Sequence, residues 1–130
     1  MADRNYITLS GGEKQRVHFA RVVAQIWYPP KEGSRYLILD EPLTFLDVYY
    51  QFDFMYKVME LIKQQDIVVV GVVHDLNLAA RFADKVVLVC NGKILADGSK
   101  KEVLTIENIK AAYHMEADIT SHNGKLQLFF

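Results

Sequence analysis

Residues 36–42 of the chain have the sequence YLILDEP. Four apolar residues lead here into two adjacent carboxylates, Asp40 and Glu41, and then into Pro42. A short apolar run of this kind predicts a buried strand over residues 36–39. Open α/β sheets bind their ligands at the carboxyl ends of such strands, so the two carboxylates mark a candidate site. A carboxylate pair that caps the following helix explains the same residues equally well.

Helical patterns lie on both sides of this strand. We predict one amphipathic helix over residues 12–27, with Ser10 as its N-cap, and a second over residues 48–65. The apolar positions taken for the buried faces are Val17, Ala20, Val23, Ala24 and Trp27 in the first helix, and Phe52, Met55, Val58, Met59 and Ile62 in the second.

Further strands and helices alternate towards the C-terminus. Residues 67–73 and 85–90 are apolar without polar alternation, which predicts strands covered on both faces. A short helix is predicted over residues 75–84, and short helical segments over residues 100–115. Asn-Gly pairs predict hairpins at residues 91–92 and 123–124. This alternation predicts an α/β fold with a parallel sheet at its centre.

Composition restricts the classes of protein that fit. The chain has 130 residues, 51% of them hydrophobic, with a net charge of -1, so we expect one globular domain rather than a disordered chain. The balanced charge gives no overall field that attracts nucleic acid. A single cysteine, Cys90, excludes a disulfide within the chain. The longest apolar runs are too short to span a bilayer, and the first 20 residues are too polar for a signal peptide, so we expect a cytoplasmic protein.

The second candidate site is the sequence LSGGEKQR at residues 9–16. Gly11 and Gly12 leave backbone N–H groups unobstructed at the start of a helix, where the helix dipole favours an anion such as phosphate. A plain Ser10 N-cap followed by a glycine-rich turn is the simpler interpretation of these residues alone. A third candidate, His74, follows the predicted strand at residues 67–73. A lone histidine in such a place is usually a hydrogen-bonded structural residue.

In this order, the three segments resemble the C-terminal half of an ATP-binding-cassette (ABC) ATPase. LSGGEKQR is similar to the family's signature motif, YLILDEP to its Walker B motif, LTFLD at residues 43–47 to its D-loop, and His74 to its switch histidine. The resemblance covers nearly all 130 residues as part of one ABC ATPase domain, with the signature helix at 9–27, the Walker B to switch region at 36–84 and C-terminal strands and helices at 85–130. It implies a partial P-loop NTPase fold of the α/β class, with flanking helices and a C-terminal β-hairpin.

The resemblance also implies ATP and Mg²⁺ as cofactors and assigns roles to individual residues. The implied roles are general base for Glu41, Mg²⁺ binding for Asp40, a γ-phosphate contact for His74, a cross-dimer link for Asp47, and binding of the nucleotide held by a partner subunit for Ser10, Gly11, Gly12 and Gln15. Together these roles describe an ATPase coupled to transport across a membrane.

Within the family, the chain is most similar to the ATPase subunits of importers for haem and iron-siderophores. This implies a second ATPase subunit and transmembrane permease subunits as partners, with the chain held peripherally at the cytoplasmic face of the membrane. Two alternatives remain open, an ABC-type ATPase of chromosome maintenance or DNA repair and a non-catalytic interaction module. Gln15-Arg16 and the segment at residues 91–98 favour the transporter branch, and no nucleic acid partner is expected.

The chain departs from the family pattern in two respects. The motif G-x-x-x-x-G-K-[ST], which cradles phosphates in P-loop ATPases, does not occur in these 130 residues, so we expect a truncated cassette that is inactive in isolation. In the family the P-loop strand lies between the strands that match residues 67–73 and 85–90. We therefore expect two unpaired sheet edges and an uncovered apolar face. These should lead to self-association, strand exchange or dependence on a complementary N-terminal piece. Phe45 replaces a small residue of the D-loop, at a tight dimer interface.

Overall fold

The computed structural model describes residues 6–44 and 46–130, and of Gln15 it describes the backbone only. Phe45, the unusual D-loop residue, lies outside the described residues. The chain divides into two compact units, Met1–Val72 and Val73–Phe130. Each unit has its own helices, strands and buried apolar core.

The first unit is built on one strand–helix–strand unit. Its elements are a 3₁₀ turn (Tyr6–Thr8), α1 (Gly11–Gln25), β1 (Arg35–Asp40), α2 (Val48–Gln64) and β2 (Ile67–Val72). β1 and β2 are parallel, with Tyr36 opposite Val68 and Asp40 opposite Val72. Two parallel strands joined by a helix form the βαβ arrangement of α/β proteins, which confirms the predicted fold class. In the described part of the chain, the parallel sheet has only these two strands.

Side-chain caps set the starts of both helices. The Ser10 hydroxyl accepts a hydrogen bond from the Glu13 N–H at 3.3 Å, and the Glu13 carboxylate accepts one from the Ser10 N–H at 2.9 Å. This reciprocal pair is a capping box, and it confirms Ser10 as the N-cap. At α2 the Asp47 carboxylate accepts from the Tyr50 N–H at 3.1 Å. Since Asp47 caps α2, the interpretation of Asp40 and Glu41 as its capping pair is wrong.

The core of the first unit lies between the two helices and one face of the sheet. Leu37, Leu61 and Ile67 are buried at its centre. The partly buried residues packed around them are Phe19, Val22, Val23, Ile26, Leu39 and Val69.

The predicted buried faces of the helices are wrong in part. In α1 the inward residues are Phe19, Val22, Val23 and Ile26, whereas Ala20, Ala24 and Trp27 are exposed. In α2 the buried residues are Phe54, Val58 and Leu61, and the other predicted positions are only half-buried. Each helix carries two adjacent apolar stripes with helical spacing. Only the stripe that packs over Leu37 is buried against the sheet.

The opposite face of the sheet is open. This corrects the expectation, drawn from the apolar runs, that these strands are covered on both sides, and it agrees with the uncovered apolar face expected from the family pattern. Along β1 the exposed fraction alternates from 63% at Tyr36 to 2% at Leu37 and 74% at Ile38. β2 follows with exposed side chains at Val68, Val70 and Val72. Apolar residues without polar alternation do predict strands for a sheet covered on both faces, but the described residues of this unit supply helices for one face only.

Arg35 is a buried charge at the start of β1, only 9% exposed. Its guanidinium donates to the carbonyl oxygens of Ile26 and Trp27, at 3.1 and 3.0 Å, and to the Gln65 side-chain oxygen at 2.9 Å. A longer bond of 3.4 Å reaches the carbonyl of Asp66. These partners follow the ends of α1 and α2, so one side chain joins both helix ends to the sheet. No sequence motif indicated this role.

The second unit consists of two hairpins and three short helices. Its elements are α3 (Leu76–Phe82), β3 (Lys85–Cys90), β4 (Lys93–Ser99), α4 (Lys100–Val103), α5 (Ile106–Tyr113), β5 (Asp118–His122) and β6 (Lys125–Phe129). β3 pairs with β4 and β5 with β6, both antiparallel. Both predicted hairpins are thereby confirmed. At their turns Asn91, Gly92, Asn123 and Gly124 all have positive φ, which is why Asn-Gly is the strong signal for such turns.

The core of this second unit lies beneath α5 and the C-terminal hairpin. Ala80, Leu104, Ile109, Ala117 and Leu128 are buried together. The Asn77 side chain forms two bonds with the Leu128 backbone, donating to its carbonyl at 3.1 Å and accepting from its N–H at 2.8 Å. The predicted buried strand at 85–90 is half open, because Val87 and Val89 are exposed.

Among the described residues, we find no helix with both the length and the apolar character needed to cross a bilayer.

Candidate functional site

The N-terminus of α1 is open above its two glycines. A β-carbon added at Gly11 or Gly12 would meet no atom within 4 Å. The first N–H groups of a helix have no partner within the helix, and the capping box engages those of Ser10 and Glu13. The N–H groups of Gly11 and Gly12 therefore lie at an uncrowded helix start, where the dipole favours an anion. The structure is therefore compatible with both interpretations of residues 9–16. Ser10 caps the helix, and the start of the helix is still accessible to an anion.

The two carboxylates at the end of β1 have different settings. Asp40 is the last residue of the strand and is exposed. Glu41 begins the following turn, where the Thr44 hydroxyl donates to its carboxylate at 3.3 Å and the Thr44 N–H donates to its carbonyl at 3.2 Å. Adjacent residues at a strand end are therefore held differently, as separate roles for Asp40 and Glu41 require.

Glu41 has a backbone conformation that few residues adopt. Its φ is 44°, in the left-handed region that costs a residue with a β-carbon roughly 1–2 kcal/mol. Pro42 follows it and further restricts the backbone of its predecessor. Such outliers cluster at active sites, where the surrounding structure holds a side chain in a set direction.

Asp47 and His74 lie outside these two segments. Asp47 caps α2, so its predicted link across a dimer is a second use of a residue that already has a structural role. His74 belongs to the second unit, in the bend between β2 and α3, and is exposed. The next residue, Asp75, caps α3 by accepting from the N–H groups of Asn77 and Leu78 at 2.8 and 3.1 Å. The start of α3 therefore fixes the backbone next to His74.

One cavity of about 210 Å³ connects the start of α1 to the D-loop segment. Gly12 and Leu46 both line it. Its other lining residues are Arg16, Phe19, Tyr50, Asp53, Phe54 and Lys57. The structure thus brings two of the predicted segments together on one wall, through Gly12 and Leu46.

Aromatic and charged contacts hold the walls of this cavity. The Arg16 guanidinium lies 5.5 Å from the centre of the Tyr50 ring, and the Phe19 and Phe54 rings meet edge to face at 4.7 Å. Lys57 forms an ion pair with Asp53 at 2.6 Å. Sequence reasoning missed the pairing of Arg16 with Tyr50. The available signal was that both lie near the starts of amphipathic helices that flank the same strand.

The donor set at Asp40 fits the way proteins hold Mg²⁺. Mg²⁺ is usually bound by one or two carboxylates together with phosphate oxygens and water, rather than by a full protein cage. Among residues 6–44 and 46–130, no three His, Cys, Asp or Glu side chains lie together as a complete metal site. A single exposed carboxylate at the carboxyl end of a parallel strand is therefore suited to a metal that arrives with its phosphates.

No family model matches the chain. Individual proteins do match, however. The chain is 43% identical to the hemin import ATP-binding protein HmuV of Bordetella avium strain 197N over 122 residues, which are 94% of this chain and 47% of that protein. It is 42% identical to the protein of the same name from Plesiomonas shigelloides over 141 residues, covering 98% of this chain and 53% of the other. The corresponding protein of Gloeobacter violaceus is 45% identical over 122 residues, 94% of this chain and 44% of its own length.

Solved structures agree with these relatives. A transporter of the metal-chelate ABC type, in an inward-facing conformation, superposes with a TM-score of 0.77 at 25% identity, over 96% of this chain and 47% of the other. A dimeric ATP-binding cassette in a post-hydrolysis state, bound to ADP and phosphate, superposes with a TM-score of 0.56 at 30% identity, over 71% of this chain and 36% of the other.

The fold and the two motif-bearing segments, together with these matches, define the class: the chain belongs to the ABC ATPase family. More particularly, it is a homologue of the hemin import ATP-binding proteins and corresponds to the C-terminal half of their cassette. It spans about half the length of the curated relatives that it matches.

Proposed function

We propose that the chain serves as the signature-bearing half of an ATP-binding subunit in an ABC importer, with haem as the class of substrate. The observation that supports this most directly is an identity of 42–45% to hemin import ATP-binding proteins over nearly the whole chain. The open start of α1 and the two carboxylates after β1 lie within that shared sequence. A permease and a second ATPase subunit are its proposed partners, at the cytoplasmic face of the membrane.

The proposed site is composite. ATP held by the P-loop of a partner subunit presents its γ-phosphate to the N–H groups of Gly11 and Gly12, where the dipole of α1 stabilises the negative charge. Ser10 keeps this helix start in place through the capping box, and we expect its hydroxyl to contact the same phosphate. Gln15, one turn into the helix, contacts the same nucleotide.

The carboxylates serve the nucleotide on the chain's own side. Asp40 holds Mg²⁺, which when bound neutralises charge on the phosphate oxygens. Glu41 takes a proton from the attacking water, and its strained backbone fixes the direction of the carboxylate. His74 contacts the γ-phosphate, and Asp47 forms a link across the dimer. This side lacks a G-x-x-x-x-G-K-[ST] cradle within the 130 residues, so we expect negligible hydrolysis by the chain alone.

A mixing experiment tests the proposal. The chain is combined with a full-length ABC cassette whose P-loop is intact and whose own signature serine and glycines are substituted. We expect Mg²⁺-dependent ATP hydrolysis only in the mixture, and loss of that rate when Gly12→Asp places a carboxylate at the phosphate position. Gln25→Ala, at the exposed far end of α1, is the matched control and should keep the rate.

Two results would count against the proposal. If the mixture hydrolyses no more ATP than the separate proteins, α1 does not complete a nucleotide site, and the motifs of the chain record ancestry rather than activity. If the chain binds DNA with a steep dependence on salt, the chromosome-maintenance alternative is favoured instead. The names of the curated relatives support the transporter branch.

A further inference from the structure

The cavity between α1 and α2 takes no part in the proposed nucleotide chemistry, apart from Gly12 on its wall. It lies wholly within the first unit and has a volume of about 210 Å³. Folded proteins contain few voids larger than one water molecule, so a chamber of this size is unusual. An apolar cavity of about 150 Å³ is enough to hold benzene. The space therefore accommodates one aromatic ring with a small substituent.

The inner walls of the cavity are apolar and aromatic. The Phe19 and Phe54 rings lie with their centroids 4.7 Å apart and their planes at 61°. Leu46 adds an aliphatic side chain from the segment before α2. Edge-to-face contact is one of the arrangements that aromatic rings prefer. These walls are therefore suited to a planar aromatic ring, which can make the same kind of contact with them.

The charged side chains of the cavity leave one positive charge uncompensated. Lys57 and Asp53 form an ion pair at 2.6 Å, so their charges offset each other. The Arg16 guanidinium lies 5.5 Å from the centre of the Tyr50 ring, and no carboxylate of the described residues pairs with it. Its fork of N–H donors matches the geometry of a carboxylate. Arg16 is exposed and Phe54 is buried, so the charge lies at the solvent side of the apolar walls.

From these features we infer that the cavity binds a small aromatic carboxylate, a single ring that carries one anionic group. The ring occupies the space beside Phe19, Phe54 and Leu46. Its carboxylate accepts hydrogen bonds from the Arg16 guanidinium. Ligand pockets combine apolar walls with a small number of polar groups that fix orientation, and this cavity has both.

Ligands that have only one of these two groups fit the cavity less well. A neutral ring would contact the apolar walls but offer no charge to the Arg16 guanidinium. A small anion without a ring would engage the guanidinium but leave the apolar walls in contact with water, which is unfavourable. The ring and the carboxylate should therefore contribute separately to affinity, and ligands that contain one of them each can test the inference.

Benzoate is the probe, since it contains one ring and one carboxylate. It is titrated into the purified chain, and binding is followed by broadening of the NMR signals of the ligand and by the melting temperature. We expect saturable binding and a melting temperature that rises with benzoate concentration, as for any ligand of the folded state. Benzyl alcohol, which has the ring without the charge, should bind about tenfold more weakly or less. Acetate, which has the charge without the ring, should leave the melting temperature unchanged at the same concentrations.

Substitutions locate the site. Arg16→Met removes the guanidinium from an exposed position, so benzoate should bind this variant no more tightly than benzyl alcohol does. Leu46→Trp fills the chamber and should abolish binding of both ligands. Arg21→Met changes another exposed arginine of α1, one that does not line the cavity, and this matched control should bind benzoate like the unchanged chain. If Leu46→Trp does not fold, the comparison of Arg16→Met with Arg21→Met still decides the outcome.

Three results would overturn the inference. The first is that benzoate does not bind saturably, or binds the unchanged chain no more tightly than benzyl alcohol. The second is that Arg16→Met binds benzoate as tightly as the unchanged chain. The third is that Arg21→Met weakens binding as much as Arg16→Met, because benzoate would then respond to the overall charge of α1. None of these measurements involves ATP, so failure here is distinguishable from failure of the proposed function.

Discussion

Glu41 combines a predicted catalytic carboxylate with a backbone conformation that is costly for its residue type. Its φ of 44° lies in the left-handed region, which only glycine adopts without strain. This cost is borne by the residue that we propose as general base. The backbone conformation of Glu41 should therefore lower the free energy of unfolding by a measurable amount.

We therefore expect Glu41→Gly to raise the free energy of unfolding by about 0.5–1 kcal/mol. Hydrolysis in the mixed assay should stay unchanged, because the partner cassette supplies both the P-loop and the general base there. Urea unfolding measures the first quantity and the ATPase rate the second. His114→Gly is the matched control, because His114 ends α5 with a φ of 57°. It should give a similar gain in stability and leave the rate unchanged. A destabilised Glu41→Gly variant, or one that lowers the ATPase rate of the mixture, would contradict this account of Glu41.

Arg35 shows how a buried charge can be structural. Its guanidinium donates to four oxygens around the ends of α1 and α2. Arg35→Met removes these donors and leaves four part-buried oxygens without them, so we expect a loss of about 2–4 kcal/mol in unfolding free energy. Arg35→Lys keeps the charge with fewer donors and should lose less. Equal stability of all three proteins in urea would show that these bonds contribute nothing.

At the scale of elements, the start of α1 has two roles that substitution can separate. Ser10→Ala removes the hydroxyl of the capping box and should cost about 1 kcal/mol, measured by thermal unfolding. Ser10→Asp provides another good N-cap and should keep the stability. It also places a negative charge at the proposed phosphate position, so it should bind the partner's nucleotide poorly. If both variants lose stability equally, the cap is not what Ser10 contributes.

At the start of α4, a carboxyl group makes the stability of the chain depend on pH. Hydrogen bonds from the Ser99 side chain and then from its backbone N–H lower the pKa of Glu102, which lies in the first turn of α4, below its ordinary value of 4.5. A carboxyl whose folded pKa is lowered stabilises the fold above its ordinary pKa and loses this contribution as the pH falls through the folded value. We expect the unchanged chain to melt above Glu102→Gln at pH 7, with the difference shrinking below pH 4.5.

The matched control for this pH dependence is Glu107→Gln, in the first turn of α5. It removes a carboxylate from a helix start without touching Ser99, so it measures the general effect of charge near a helix N-terminus. If Glu102→Gln melts below the unchanged chain by the same amount at low pH as at pH 7, the hydrogen bonds from Ser99 to the ionised Glu102 are not the cause.

Most elements were predictable because their signals are local. The Ser10 cap, the Asn-Gly turns and the apolar strand runs each depend on neighbours in sequence, and each was found within a few residues of its predicted place. The buried faces of α1 and α2 were less predictable, since each helix has two apolar stripes and only packing against Leu37 selects one. The bonds of Arg35 join residues up to 31 positions apart and leave no local pattern.

At the scale of the whole molecule, the motifs predicted which residues are candidates for the site, but the apolar runs did not predict how the sheet beside them is covered. Apolar strand runs predict coverage on both faces, and the described chain covers one face of β1 and β2. The chain spans about half of the length of its relatives. The assignment of all 130 residues to one domain and self-association remain predictions. So do the roles of all the predicted site residues, namely Ser10, Gly11, Gly12, Gln15, Asp40, Glu41, Asp47 and His74.

The central claim is that α1 completes the nucleotide site of another cassette, and equilibrium binding of Mg²⁺-ATP tests it most directly. The chain is titrated into a cassette with an intact P-loop, a substituted signature and a general base changed to Gln, so that nucleotide is bound but not consumed. We predict that the chain tightens nucleotide binding by about tenfold or more, and that Gly12→Asp abolishes this effect. An unchanged affinity at saturating chain, with Gly12→Asp indistinguishable from the unchanged protein, would contradict the claim.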